Sequence, residues 1–130
     1  MNKRTLALII GLVILVIGGV LAVLFSGGTA AAVCKSDTVP VHYVVTIQNG
    51  KASNTSLQTV KCDTLTITNE DPTTREIAFG PHEKHVAYDG IAERVVGKGE
   101  SVTVTMVKTG TFRWHDHLHD EIQGTFTVAD

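Results

Sequence analysis

The chain has 130 residues, 11 of them basic and 13 acidic, for a formal net charge of −2. That length suits one domain and is too short for two. No run of Lys and Arg builds a positive surface, which argues against nucleic acid as a partner.

Residues 1–5 contain Lys3 and Arg4, and residues 6–25 form an unbroken run of apolar residues and glycine. As a helix, twenty residues at ~1.5 Å each reach ~30 Å, the thickness of a bilayer's hydrocarbon core. Positive residues only on the N-terminal side favour a cytoplasmic N-terminus. The expectation is one transmembrane helix at 6–25 in the cell membrane, with everything after it extracytoplasmic, in a periplasm or outside the cell. A cleaved signal peptide is the alternative. Its apolar region is usually about 7–15 residues, shorter than this run, although the small residues at 27–32 would suit a peptidase. A lipoprotein fits less well, because Val33 stands directly before Cys34. Without Lys3 and Arg4, nine basic residues face thirteen acids, so the exported part carries −4.

Residues 26–38 begin with a run of small residues and read as a linker. From 39 to 130 no segment has helical periodicity. Short runs rich in Val, Thr, Ile and Phe predict strands at 41–48, 56–61, 64–69, 75–79, 101–107, 110–115 and 125–128. Asn49-Gly50, Asp89-Gly90 and Lys98-Gly99 mark turns. In Val102-Thr103-Val104-Thr105-Met106, apolar and hydroxylic residues alternate between two faces. Many short, closely spaced strands imply an all-β sandwich or barrel. Cys34 and Cys62, both beyond the apolar run, would pair in an oxidising compartment; two free thiols are the other possibility.

Five of the six histidines lie between positions 82 and 119. His82 and His85 fall in Pro81-His82-Glu83-Lys84-His85; His115, His117 and His119 alternate in Trp114-His115-Asp116-His117-Leu118-His119. Residues at i and i+2 of a strand share a face, so His115 and His117 could meet one ion, with His82 and His85 adding nitrogens from a loop and His119 as the reserve ligand. Imidazoles without thiolate suit Cu(II), with Zn(II) also possible. Glu83 and Asp120 are placed to orient rings or to serve as surface charges. His42, isolated in the first predicted strand, reads as an edge or surface residue.

Residues 39–128 resemble the cupredoxins, a family of copper-binding Greek-key β-sandwiches. The family's C-terminal stretch has glycine, aromatics at +2 and +4, then cysteine, histidine, methionine and glycine at +6, +9, +12 and +14. Here that frame falls on Gly110, Phe112, Trp114, Asp116, His119, Ile122 and Gly124. The upstream Asn-x-Asp and copper histidine fall on Asn69, Asp71 and Arg75. The resemblance implies a degenerate blue-copper position: Arg75, Asp116 and Ile122 replace three of its four ligands, and only His119 remains. It also implies that Arg75 and Asp116 close the vacated site as a charge-assisted pair. The His115-Asp116-His117 run is similar to the His-Cys-His run of multicopper oxidases, whose flanking histidines serve a neighbouring copper cluster.

Together these readings describe a membrane-anchored, extracytoplasmic copper-binding module whose partners are a metal ion and, through the N-terminal helix, the membrane. A metal-free interaction scaffold and a small type-2 copper oxidoreductase are the alternatives. The missing thiolate removes an internal electron relay, and no Ser-His-Asp or paired-carboxylate arrangement offers other chemistry, so the reading leans away from an enzyme. The sequence names no protein partner.

Overall fold

The alternation of apolar and hydroxylic residues translates directly into half-buried strands. The computed structural model describes residues Cys34–Asp130. The expected transmembrane helix at 6–25, the segment 1–5 before it and linker residues 26–33 lie outside the described residues. Among the described residues, no helix is long and apolar enough to cross a membrane.

Among the described residues, nine strands form two sheets. The first contains β1 (His42–Gln48), β2 (Lys51–Ala52), β4 (Thr64–Asn69) and β7 (Ser101–Thr105), in the order β2-β1-β4-β7. The second contains β3 (Ser56–Val60), β5 (Arg75–Phe79), β6 (Glu93–Val96), β8 (Gly110–Asp116) and β9 (His119–Ala129), in the order β3-β9-β8-β5-β6. The β1/β4 and β3/β9 pairs are parallel and the others antiparallel. One core joins the sheets, with Val45, Ile47, Leu65, Ile67, Val102 and Val104 meeting Ile77, Phe79, Trp114, Ile122, Phe126 and Val128. The all-β sandwich expected from the sequence is therefore present.

Three strands escape the sequence pattern, the two-residue β2 among them. β6 reads Glu-Arg-Val-Val and exposes three of its four residues, so alternation is absent. β9 starts at His119, six residues before the predicted strand, because its first half is polar on the outer face while Ile122 and Gly124 point inward. Gly124 is required there: a Cβ would stand 2.7 Å from the Trp114 indole nitrogen.

The turns behave as their residues dictate. Asn49 and Gly50 adopt φ of 53° and 69°, as a two-residue hairpin loop requires. Gly80, at φ 89°, starts the loop after β5, where a Cβ would lie 2.8 Å from the Val86 nitrogen. The Phe79 carbonyl accepts from the Val86 N–H at 2.8 Å, and the Gly80 N–H donates to the Arg113 carbonyl at 2.9 Å. These bonds fold residues 80–86 back over the second sheet. Cys34 and Cys62 form a disulfide, with Cα atoms 5.4 Å apart, pinning the start of the described chain to the β3–β4 connection.

Candidate metal centre

Strand β8 presents two chemically different faces. Trp114 and Asp116 point into the sandwich, whereas Arg113 and His115 lie on the outer face of the second sheet. His115 pairs in register with Ala78 on β5, and Ala78 with Glu93 on β6. The small Ala78 side chain leaves space beside the imidazole. Although it lies on an outer face, His115 is 0% exposed. The 80–86 loop brings His82 and His85 over it, with ring centroids 5.4 and 5.3 Å away, and His117 completes the enclosure at 6.2 Å.

His117 arrives by a different route from the one expected. β8 ends at Asp116 with a register shift at His115/Asp116, so His117 lies in the turn to β9, beyond the strand. The turn is fixed by the His117 N–H donating to the Glu76 carbonyl at 2.7 Å and the Leu118 N–H donating to Asp116 Oδ1 at 3.1 Å. His117 then stacks on His82, with centroids 4.6 Å apart and planes 18° apart.

His82, His115 and His117 each offer a ligand atom, and these atoms lie within 4.8 Å of one another. Bonds of about 2.0–2.1 Å would put tetrahedral imidazole nitrogens roughly 3.3 Å apart. Small rotations of the part-exposed His82 and His117 rings close the difference. Both ring nitrogens of His115 are buried without any hydrogen-bond partner, and so is His82 Nδ1. An unpaired buried polar group costs about 1–3 kcal/mol, and His115 carries two. Burial, reinforced by the nearby Arg113 guanidinium, holds the His115 imidazolium pKa below its ordinary value. The ring is thereby kept in the neutral form that binds metals. The donor set fits a nitrogen-preferring divalent ion.

His85 occupies a different place. Its Nδ1 lies 2.7 Å from Glu93 Oε2 and its Nε2 lies 3.0 Å from His117 Nδ1. A carboxylate only accepts, so His85 donates through Nδ1. In the uncharged ring Nε2 is then the acceptor, His117 donates through Nδ1, and His117 Nε2 keeps its lone pair. A carboxylate–histidine chain of this kind orients a ligand and sets its tautomer. Glu93 was missed in the sequence because β6 itself was missed. Of the two acids considered there, Asp120 accepts from Arg113 Nη2 at 2.7 Å and stands 3.7 Å from His82 Nδ1. His119 lies apart from the triad, half-buried, with Glu121 Oε1 3.8 Å from its Nδ1. His42 is exposed and contacts Thr64 and Thr66.

On the inner face, Arg75 Nη1 donates to Asp116 Oδ2 at 3.1 Å, and Nη2 donates to Asp71 Oδ2 at 2.7 Å. The close approach of Arg75 and Asp116 matches the expectation; the second carboxylate was not foreseen. Asp116 Oδ1 also accepts from the Glu76 N–H at 3.2 Å. Asp71 accepts from the N–H groups of Asn49 and Gly50 at 2.6 and 3.0 Å. The Gly50 N–H, followed by the Arg75 guanidinium, holds the Asp71 carboxyl below the usual carboxylate range. Burial works against the Arg75 charge, but Asp71 and Asp116 hold its pKa above the ordinary value. Ile122 is buried and carries no donor. With a paired cation and no thiolate or thioether, these residues do not fit a copper ion.

No protein-family model and no curated protein matches the chain. Solved structures do match in fold. A reduced amicyanin mutant superimposes with a TM-score of 0.57 at 20% identity, covering 72% of this chain and 87% of that one. A Cu(I) form of another amicyanin mutant gives 0.56 at 22% identity, covering 68% and 82%. A reduced Cu(I) amicyanin mutant at pH 4 gives 0.57 at 19% identity, covering 77% and 95%. At these identities the likeness is one of fold.

Proposed function

From the premise that this is a cupredoxin-like domain, we propose that it binds one copper ion at a site displaced from the usual position of the fold, through His82, His115 and His117. The observation that carries this reading is His115, buried at the centre of the cluster with both ring nitrogens unpartnered. Cu(II) is favoured over Zn(II) by the general affinity order, and zinc competes because the ligands do not exclude it. When bound, copper supplies an all-nitrogen type-2-like centre without the intense colour of a copper–thiolate bond. The residues do the rest. His115 provides a rigid ligand from the sheet, His117 is held in one tautomer by His85 and Glu93, and His82 comes in on the Gly80–Val86 loop. His85 is a positioning residue in this account, available as a fourth nitrogen if its bond to His117 breaks.

The role proposed is copper handling or a redox accessory function at the outer side of a membrane, with residues 6–25 as the anchor. The apolar length of that segment and Lys3 and Arg4 before it support the topology. Copper analysis and electron paramagnetic resonance on the full chain test the site. One equivalent of Cu(II) with nitrogen hyperfine structure is expected, and the His115→Ala/His117→Ala double variant should lose stoichiometric binding while keeping its β circular dichroism. Full copper affinity in that variant would eliminate the site. Carbonate washing of membranes tests the anchor: the full chain should stay with the membrane, and recovery of a shortened protein in the external fraction would favour a cleaved signal.

A further inference from the structure

A second concave site lies beside the histidines and depends on no metal. The chain between β5 and β6 and the start of β8 enclose a cavity of about 360 Å³, within the size range of small-molecule sites. Phe79 and Tyr88, 1% and 2% exposed, back it from the core, Val86 and Phe112 form its accessible apolar wall, and its lining also contains Lys108 and Arg113 but no acidic residue. The Tyr88 and Phe112 rings meet at a 60° tilt with centroids 4.5 Å apart, and Phe79 lies 6.3 Å from Tyr88. The Tyr88 hydroxyl donates to the Lys108 carbonyl at 3.2 Å and accepts from the Lys108 N–H at 3.3 Å. Those bonds fix the backbone that carries the Lys108 ammonium and occupy the hydroxyl.

The charges are only partly answered. Arg113 gives Nη2 to Asp120, while its Nε has no partner. Lys108 has no ion pair among the described residues. A flat apolar body against Phe112 and Val86 with an anionic end toward the two cations complements this lining. A neutral apolar molecule or a neutral sugar would bring no anionic group to the two cations.

We propose that this cavity binds a small aromatic carboxylate of one or two rings, its ring against Phe112 and Val86 and its carboxylate toward Lys108 and Arg113. The test titrates the full chain with 1-naphthoate and, in parallel, with neutral 1-naphthalenemethanol, followed by NMR. The acid should bind saturably with a Kd below about 1 mM, moving Val86, Tyr88 and Phe112 signals. It should bind roughly tenfold more tightly than the alcohol, and added salt should erode that preference. Lys108→Gln, at an exposed position, should weaken the acid severalfold and leave the alcohol unchanged. Lys108→Gln/Arg113→Gln should abolish the preference. Equal affinity for acid and alcohol, shifts at other residues, or no saturation by several millimolar would overturn the proposal. The Lys108 single variant and the salt series keep the test decisive if the double variant is poorly folded.

Discussion

The two faces of β8 hold polar groups of similar burial in opposite states. On the inner face, the Asp116 carboxylate accepts from Arg75, Glu76 and Leu118, and Arg75 is shared with Asp71, leaving Arg75 Nε as the one unpartnered nitrogen of that group. On the outer face, one residue away, His115 is equally buried and has no partner for either nitrogen. A satisfied polar network holds structure together; an unsatisfied one is a cost that a bound ligand can relieve. On the proposed reading, the inner face serves stability and the outer face metal binding.

The largest effect should come from breaking the inner network. Asp116→Ala leaves the buried Arg75 charge half-paired and should cost about 3–5 kcal/mol, read by denaturant unfolding. It also removes the acceptor that fixes Leu118 next to His117, so some copper affinity should go with it, but less than His115→Ala removes. An Asp116→Ala protein as stable as the parent would contradict the assignment. Reducing the Cys34–Cys62 disulfide, which spans 28 positions, should cost about 3 kcal/mol by the loop-entropy argument. Thiol labelling of denatured, unreduced protein should find no free cysteine.

The outer face should respond with the opposite sign. His115→Leu removes two unpartnered nitrogens and keeps an apolar side chain against Ala78. The metal-free protein should gain about 1 kcal/mol in stability while losing copper binding. Stability bought at the expense of a binding site is the usual signature of a functional residue. A His115→Leu protein less stable than the metal-free parent would assign His115 to the structural face instead.

Acid should separate the faces with smaller, graded effects. Asp71 has a folded pKa below its unfolded value near 3.9. Its contribution to stability is complete above that value and disappears as pH falls through the lower folded pKa. His115 is also depressed, so its linkage has the same sign but begins near pH 6.5, the unfolded value. Thermal melts of the metal-free protein should therefore lose stability in two stages on acidification. His115→Leu should flatten the stage below about pH 6.5, and Asp71→Asn the stage below about pH 4. A single transition in both variants would show that the faces do not titrate separately.

Sequence periodicity carried most of the fold. The predicted runs at 64–69 and 75–79 coincide with β4 and β5, because β4 alternates regularly, β5 is a short apolar run, and the turns are marked by Asn, Asp and Gly. It failed where side chains facing the outer surface were polar, as in His119–Gln123, or where the strand was an edge, as in β6. The histidines were visible as a cluster because five of six fall within 38 residues. That His82, His85, His115 and His117 converge was expected from their placement; that His85 stands behind His117 and leaves His82, His115 and His117 as the triad was not. The bulge at His115/Asp116 sends His117 into a turn, and Gly80 decides where His82 and His85 land. The Arg75–Asp116 pair could be expected from the positions it occupies. Asp71 as its second partner and Glu93 behind His85 depend on contacts across strands, which spacing alone does not reveal.

The central claim is that His115 is the buried hub of a metal site made with His82 and His117. Imidazole ¹⁵N NMR of the full chain during titration with Zn(II), used as a diamagnetic probe, tests it most directly. At one equivalent, one nitrogen each of His82, His115 and His117 should move to the metal-bound range, with His85 still bonded to His117 and with His42 and His119 unmoved. A His115 ring that stays unchanged while other histidines respond would contradict the account.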